Sequence, residues 1–282
     1  MEPKNRYKAW PRGHTSGTPT EHVLIHTEPA AKVADSTTAR VSEVLLAFAG
    51  AEQPLGITDI ARTTGLSKAV VHRIVQELCN SSFVWQNPQT RKYQPGISAF
   101  ALSDAANQSS QFRRIGIELL ADLAEHTGET ATLSGRIGHR RIYIAQVESA
   151  QLIRISVQVG SALPLTVGAS GAAILAFQPE NEIEAALRAP VPTDSPYKIA
   201  DPGALRVRLK EVAERGYARS VGERIADATS FAAPARNRFG EVIGCISVAA
   251  LATRLTPSRE EELIRHVVAA AEELSRRLAA QR

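Results

Sequence analysis

The chain has 282 residues, of which 44% are hydrophobic, so it is long enough for about two domains with their own cores. No apolar run approaches the roughly 20 residues that span a bilayer, the start "MEPKNRYKAWPRGH" has no secretion-signal character, and the two cysteines, Cys79 and Cys245, are too far apart to suggest a disulfide framework. We therefore expect a cytoplasmic protein, and its net charge of +4 is only a weak indication of a polyanionic partner.

The first 36 residues mix Pro, Thr, His and Gly with few apolar residues and no hydrophobic period, which predicts a disordered N-terminal arm over 1–36. From Thr37 onward a regular hydrophobic pattern begins. The stretch "TTARVSEVLLAFAG" places apolar residues at spacings of three and four, which is typical of an amphipathic helix, and Gly50 is its expected end.

Two further short helices follow after a break. The stretch "ITDIARTTG" predicts a helix with Thr58 as N-cap and Gly65 as the glycine after its last turn. Ser67 is the expected N-cap of the next helix. The buried side of that helix is predicted from its apolar stripe, which comprises Val70, Val71, Ile74, Val75 and Leu78.

The stretch "FVWQNPQTRKYQP" has an Asn-Pro turn signal at its centre, which predicts a short hairpin with strands near 83–86 and 91–94. Residues 97–128 have a helical pattern that is interrupted by the polar run "NQSSQ". We expect a break there between two helices, with 97–113 as a helical linker between two domains.

Beyond Gly128 strands and helices are mixed. Strand character is expected in three early stretches, "TATLSGRIG", "RRIYIAQVES" and "LIRISVQVG", and in three later ones, "YARSVGE", "TSFAAPAR" and "EVIGCISVAAL". Helices are predicted for "GASGAAILAFQ", for 180–189 and 202–215, and for the C-terminal stretch, which Thr256 can cap with Pro257 at its first position. Helices that flank an antiparallel sheet make this half α+β.

Three short helices and a hairpin within about 60 residues are typical of a winged helix-turn-helix, whose second motif helix enters the major groove of DNA. The outward side chains of that helix could contact phosphates at its start, guanine through Arg73 and adenine through Gln76. The candidate DNA-binding residues are Ser67, Lys68, Ala69, His72, Arg73 and Gln76, with Arg91 and Lys92 at the hairpin tip. The alternative is a small helical core with a solvated charged face.

These stretches together resemble the IclR-type bacterial transcriptional regulators. The resemblance lies in "GITDIARTTGLSKAVVHRIVQEL…NPQTRKYQPG", in "GSALPLTVGASGAAILA" and in "ERGYARSVGERIADATSFAAPARNRFGEVIGCISVAAL", and it covers about 37–280. It implies a winged helix-turn-helix over 37–96, the linker, and an effector-binding domain over 114–282 built on a GAF-like antiparallel sheet. It also implies a repressor or activator that forms homodimers or homotetramers and binds an operator under control of a small metabolite.

The chain departs from the family pattern in its DNA-binding half. Ala69 and Val70 stand where the family usually has a Ser-Thr pair, so two hydroxyls able to contact phosphate are missing. The usual glycine before the wing is absent, which leaves Asn80 or Ser81 as the expected turn residue. Pro95 replaces a typical leucine, and we expect it to end the second wing strand early.

The small residues of "GASGAA" allow a ligand to approach backbone N–H groups at the start of a helix, where the dipole favours an anion such as a carboxylate. The resemblance implies effector contacts for two apolar wall residues, Leu152 and Leu163, and for Ala169, Ser170, Ser220, Ala228, Ser230, Ser247 and Ala249. These are small neutral groups without a fixed charge, which favours a small organic or phenolic acid. Alternatively, the small residues only allow the helix to pack closely on the sheet.

Other functions are open to test. "GASGA" is similar to a nucleophile elbow, but the triad histidine would have to be His266, which lies in a helical pattern. No cysteine or histidine spacing indicates a metal site, and we expect no cofactor. The remaining alternative is a ligand-sensing module that acts on a protein partner. The operator, the effector and the sign of regulation do not follow from the sequence.

Overall fold

The computed structural model describes residues 36–280 except residues 50, 52 and 189–200. The predicted arm, apart from Ser36, and the expected helix end at Gly50 therefore lie outside the described residues. Throughout the described part of the chain, every helix is either too short or too polar to cross a lipid bilayer.

The N-terminal part folds as three helices and a two-stranded antiparallel hairpin. These elements are α1 (Thr37–Ala49), α2 (Ile57–Thr64), α3 (Lys68–Asn80), β1 (Val84–Gln86) and β2 (Tyr93–Pro95). Their apolar stripes meet in one core that includes Val44, Phe48, Ile60, Val71 and Ile74. The predicted helices and hairpin are thus confirmed, and the core orients α3 with its polar side outward.

Of the two N-caps predicted for α2 and α3, one is confirmed and one is wrong. The Ser67 hydroxyl accepts a hydrogen bond from the Val70 N–H at 3.4 Å, as expected for the start of α3. The predicted Thr58 cap of α2 is wrong. Residue Gly56 precedes the helix instead, and its N–H donates to the Asp59 carboxylate at 3.0 Å, so this carboxylate stabilises the first turn from within.

Two long helices, α4 (Ile97–Ser109) and α5 (Gln111–Thr127), follow the hairpin. Ser110 interrupts them with an extended backbone, and its hydroxyl accepts a hydrogen bond from the Arg113 N–H at 3.2 Å, which caps α5. The break predicted in "NQSSQ" is therefore confirmed, and a single serine both ends one helix and begins the next.

The C-terminal half is built on a six-stranded sheet in the order β5-β4-β3-β8-β7-β6, in which all neighbours are antiparallel. The strands are β3 (Thr130–Ile137), β4 (Arg140–Val147), β5 (Ala162–Pro164), β6 (Ala218–Val221), β7 (Ala228–Arg236) and β8 (Val242–Leu251). With the helices on its faces, this sheet confirms the predicted α+β class. The predicted domain boundaries stay a prediction.

One predicted strand is absent. The stretch "LIRISVQVG", 152–160, lies beside β4 but forms no strand, and its last residue, Gly160, donates a backbone hydrogen bond to the Tyr143 carbonyl at 2.8 Å. Side chains bond to two further backbone groups of the segment. The Val157 N–H donates to the Gln146 side-chain oxygen at 2.7 Å, and the Ile155 carbonyl accepts from the Thr130 hydroxyl at 2.6 Å. A pattern rich in Ile and Val cannot reveal such long-range side-chain bonds.

Each face of the sheet carries its own layer of helices. α5 and α9 (Pro257–Ala279) pack on one face, where Phe231 and Val248 point toward them. α6 (Gly168–Leu175), α7 (Glu180–Arg188) and α8 (Pro202–Arg215) form the layer on the other face, together with Ala232 and Cys245. Because strand residues alternate between faces, the two cores are separate, and side chains at even positions of β7 face α6.

Strand β8 also holds the start of α5. A Cβ atom at Gly244 would lie 2.6 Å from Cζ of Phe112 and 2.3 Å from the Ser134 carbonyl oxygen, so only glycine fits there. The Phe112 ring therefore packs directly against the backbone of β8, close to the break at Ser110.

Candidate functional site: an exposed helix face and a buried cavity

The turn between α2 and α3 has the geometry of a helix-turn-helix. Gly65 follows α2 in the left-handed conformation, with φ of 70°, and the chain enters α3 two residues later through Ser67. This backbone conformation is easily adopted by glycine and reverses the chain within a short turn. The glycine predicted at this position is confirmed.

The residues predicted to contact DNA share one surface of the N-terminal part. Five of the six on α3 or at its cap are exposed, and Gln76 is half-buried. No salt bridge occupies Lys68 or Arg73 among the residues that the structure describes, so both cations are available to an external anion. Arg91 and Lys92 are exposed at the hairpin tip.

The wing corrects one expectation. The residue with positive φ before β1 is Ser82, at 58°, and not Asn80 or Ser81. The short second strand ends at Pro95, which lies opposite Val84 as the last residue of β2. Pro95 cannot donate a ladder hydrogen bond, and an edge strand of a two-stranded hairpin tolerates this.

A cavity of about 490 Å³, its mouth included, lies between the sheet and the start of α6. Its walls come from five strands, from the first turn of α6, from the segment beside β4 and from the loop after β6. The lining residues are Thr132, Arg141, Tyr143, Ile155, Val157, Gly168, Ala169, Ser170, Ser220, Gly222, Glu223, Arg224, Ile225, Ala228, Ser230, Ser247 and Ala249.

Hydroxyl groups form a chain across the floor of this cavity. The Ser170 hydroxyl donates to Ser247 Oγ at 3.1 Å, and Ser247 shares a 2.6 Å hydrogen bond with the Thr132 hydroxyl. All three side chains are buried. Because hydroxyls both donate and accept, this floor can adapt to either kind of polar ligand atom.

Seven of the nine residues predicted to bind an effector line this one cavity; they are Ala169, Ser170, Ser220, Ala228, Ser230, Ser247 and Ala249. Leu152 does not belong to it, because its side chain is 93% exposed on the segment beside β4. Leu163 is buried with Tyr143 and Val157 behind the wall. The apolar wall that we assigned to the two leucines is provided by Ile155 and Val157 instead.

The predicted lining residues are neutral, but three charged residues that were not predicted also line the cavity. Arg141, Glu223 and Arg224 line it, and Arg141 is only 2% exposed. A signal for Arg141 was present in the sequence: it stands in phase with Tyr143 and Ala145 on β4, the side of the strand that is buried throughout. Glu223 and Arg224 belong to the loop after β6. A loop has no hydrophobic period, so the sequence does not indicate which way its side chains point.

Glu223 is already engaged at the start of α6. Its Oε2 accepts a hydrogen bond from the Gly168 N–H at 2.8 Å, and its carboxylate also pairs with the Arg208 guanidinium. The carboxylate therefore occupies the first N–H of α6 and joins α6, α8 and the loop after β6. One of the anion-binding groups expected for an effector is thus filled by the protein itself.

The structure does not bring Ser170 and His266 together. Ser170 belongs to the α6 layer, whereas His266 lies on α9 on the opposite face of the sheet, where its ring is 5.8 Å from that of His126. Within the described ranges no group of three or more metal-ligating side chains is found.

Comparison with known proteins agrees with both halves of this description. Residues 37–88 match the IclR helix-turn-helix domain, and residues 105–276 match the C-terminal domain of bacterial IclR transcriptional regulators. The glycerol operon regulatory protein of Streptomyces griseus is 30% identical over 86% of this chain and 96% of its own length.

Solved structures give the same result. The crystal structure of an IclR transcriptional regulator from Silicibacter sp. TM1040 superposes with a TM-score of 0.78 and 28% identity, covering 87% of this chain and 97% of that one. An IclR homologue from Microbacterium hydrocarbonoxydans, solved with 4-hydroxybenzoate, shares the fold with a TM-score of 0.66 and 24% identity over 87% and 100% of the two chains. This chain belongs to the IclR family of DNA-binding bacterial transcriptional regulators.

Proposed function

We propose that this regulator binds an operator through α3 and that a small organic or aromatic acid in the cavity changes its operator affinity. The observation that carries the first half is the exposed face of α3, which presents Lys68, His72 and Arg73 without carboxylate partners from the described chain. Arg73 can bind guanine and Gln76 adenine, while Lys68 and Ser67 at the helix start can contact phosphates.

The second half of the proposal is supported by the cavity and by a relative. The cavity combines a hydroxyl floor, an apolar wall and a buried arginine, and these are groups that suit an acid with an apolar body. The homologue from Microbacterium hydrocarbonoxydans was solved with 4-hydroxybenzoate, which is such an acid.

We further propose that the chain acts as a homodimer or homotetramer. α4 supports this, since Ile97, Phe100 and Leu102 expose 62–73% of their surfaces and would be covered by a second copy. A dimer would place two copies of α3 on the two half-sites of a pseudo-palindromic operator. Ligand control then requires that the acid bind two arrangements of the dimer with different affinities.

The test is binding of the purified full-length protein to the DNA upstream of its own gene, followed by fluorescence anisotropy. A fragment of equal length from the coding sequence is the matched control. We expect tighter binding to the upstream fragment and an affinity that falls steeply with salt, because phosphate contacts release counterions. Acids such as 4-hydroxybenzoate are then titrated into the complex. Equal binding to both fragments at every salt concentration would falsify the proposal.

A further inference from the structure

Arg141 is the largest side chain that the described part of the protein buries completely. Its guanidinium lies at the cavity with two neutral partners: Nη1 donates to the Ser134 hydroxyl at 3.4 Å and Nη2 to the Tyr143 hydroxyl at 3.2 Å. Nε has no hydrogen-bond partner. A buried guanidinium with five donors is thus only partly satisfied.

The carboxylate of the cavity, Glu223, forms no salt bridge with this cation. No carboxylate in the described chain forms a salt bridge with Arg141, and the cavity carboxylate of Glu223 is held by Arg208 and the Gly168 N–H. Burial raises the pKa of the nearby Cys245 thiol to about 11, so this group is uncharged at neutral pH. Buried charges are normally paired, since an unpaired one costs several kcal/mol.

The start of α6 lies next to this cation. A Cβ atom on Gly168, the first residue of α6, would lie 3.9 Å from Nη2 of Arg141, so the guanidinium is adjacent to the start of the helix. A helix N-terminus carries a partial positive charge. The Glu223 carboxylate partly offsets this charge at the Gly168 N–H, so the guanidinium without a salt bridge is the group that a bound anion would stabilise most.

We propose that Arg141 binds the carboxylate of the effector, and that this contact selects small acids over their neutral analogues. The inference rests on the proposed function, because it takes the cavity as the effector site. The planar guanidinium forms paired hydrogen bonds with a carboxylate, which a lysine cannot reproduce. The body of the acid lies against Tyr143, Ile155 and Val157, and a hydroxyl on it can bond to the serine floor.

The test is isothermal titration of the full-length protein with four acids and their amides. The probes are benzoate, 4-hydroxybenzoate, phenylacetate and pyruvate, each paired with the amide of the same shape. We expect at least one acid to bind and its amide to bind about 10- to 100-fold more weakly, as for the loss of a charge-assisted hydrogen-bond pair. This comparison uses the unmodified protein and does not depend on any variant folding.

Variants then assign the effect to one residue. Arg141→Met should lose the same factor in acid affinity, and Arg141→Lys should lose an intermediate one. Arg140→Met is the matched control, because Arg140 is the neighbouring arginine on β4, is exposed and donates to the Ala162 carbonyl at 2.9 Å. We expect it to bind the acid as the wild type does. Removal of the unpaired charge should also raise the melting temperature of Arg141→Met without ligand.

Three results would overturn the inference: equal affinity for an acid and its amide, full acid affinity in Arg141→Met, or no binding by any of the eight probes at millimolar concentration. Operator binding without acid is measured for every variant. If operator binding persists while acids show no preference, the inference fails and the regulator remains. If acids bind through Arg141 without altering operator affinity, the inference holds and the proposed ligand control fails.

Discussion

Two arginines of this regulator lie in opposite surroundings. Arg73 stands exposed on α3, where water solvates its charge, whereas Arg141 is 2% exposed and has only neutral partners. An exposed cation is inexpensive and binds any nearby phosphate, with an affinity that salt reduces. A buried cation carries a large desolvation free energy, and only an anion that fits the site can offset it. The two proposals thus assign a polyanion to the exposed arginine and a single carboxylate to the buried one.

The largest effect is expected at the exposed face. The double variant Lys68→Ala/Arg73→Ala should lose more than tenfold in operator affinity, since a base contact contributes about 1–3 kcal/mol and a phosphate contact adds to it. Fluorescence anisotropy with the upstream fragment measures this loss.

Lys210→Ala is the control for that double variant, because Lys210 is exposed on α8 and its replacement also removes one positive charge. It should leave operator affinity unchanged. Full operator binding by the double variant, together with loss of a protein partner, would instead favour a docking role for α3.

A smaller effect is expected in the buried region. A Cβ atom at Gly171 would lie 2.4 Å from the Leu165 carbonyl oxygen, so Gly171→Ala must displace α6 from its loop. We expect a loss of about 1–3 kcal/mol in unfolding free energy, as for other overpacked positions. Urea denaturation measures it.

Gly65→Ala gives the matched comparison at the surface. Its Cβ would meet open space, and only the left-handed backbone is strained, which costs about 1–2 kcal/mol. If Gly171→Ala were as stable as the wild type, the close contact between α6 and Leu165 would not exist in solution.

The two cysteine thiols also differ in burial, and this difference affects stability at high pH. Burial raises the pKa of the Cys245 thiol to about 11 from an ordinary value of 9.0, and partial burial also raises the pKa of the half-buried Cys79 thiol. A raised folded-state pKa means that stability is complete below pH 9.0 and is lost as the pH approaches 11. The loss is at most about 1.4 kcal/mol per pH unit.

The measurement is the difference in unfolding free energy between wild type and Cys245→Ala across that pH window. The wild type should lose stability more steeply than the variant, so their difference shifts as the pH rises. Cys79→Ala should show a weaker change. Parallel pH profiles for the wild type and Cys245→Ala would contradict the burial of this thiol.

The smallest effect is expected before the wing. Ser82 has a φ of 58°, a conformation that glycine adopts more readily, so Ser82→Gly should change stability by less than about 1 kcal/mol and in the favourable direction. Ser81→Gly at a φ of −91° should be destabilising. Thermal unfolding distinguishes them, and a reversed order would place the left-handed turn at Ser81.

Structural features that depend on residues close together in the sequence were predicted well, and features that depend on distant residues were not. The bounds of α8 were predicted as 202–215, and the cap of α9 at Thr256 is confirmed, because caps and glycines act within one turn. The segment 152–160 was predicted wrongly, since its partners Gln146 and Thr130 are distant in sequence.

The two parts of the candidate site differ for the same reason. The exposed residues of α3 follow from helical periodicity, which is local. The cavity assembles residues from five strands, a helix and a loop, and most of its predicted members came from the family resemblance. The sequence did not indicate Arg141 as a binding residue. Its importance comes from burial without a carboxylate partner among the described residues, and only the fold shows this.

Strand β8 extends from the cavity floor to the break between α4 and α5. Ser247 forms part of the cavity floor, and Gly244, three residues earlier on the same strand, supports the Phe112 ring beside Ser110. β8 is hydrogen-bonded to β3 on one side and to β7 on the other, so neighbouring strands hold it along its length. Under the proposed ligand control, a displacement of β8 by the effector would reach the joint between α4 and α5 through the contact of Gly244 with Phe112.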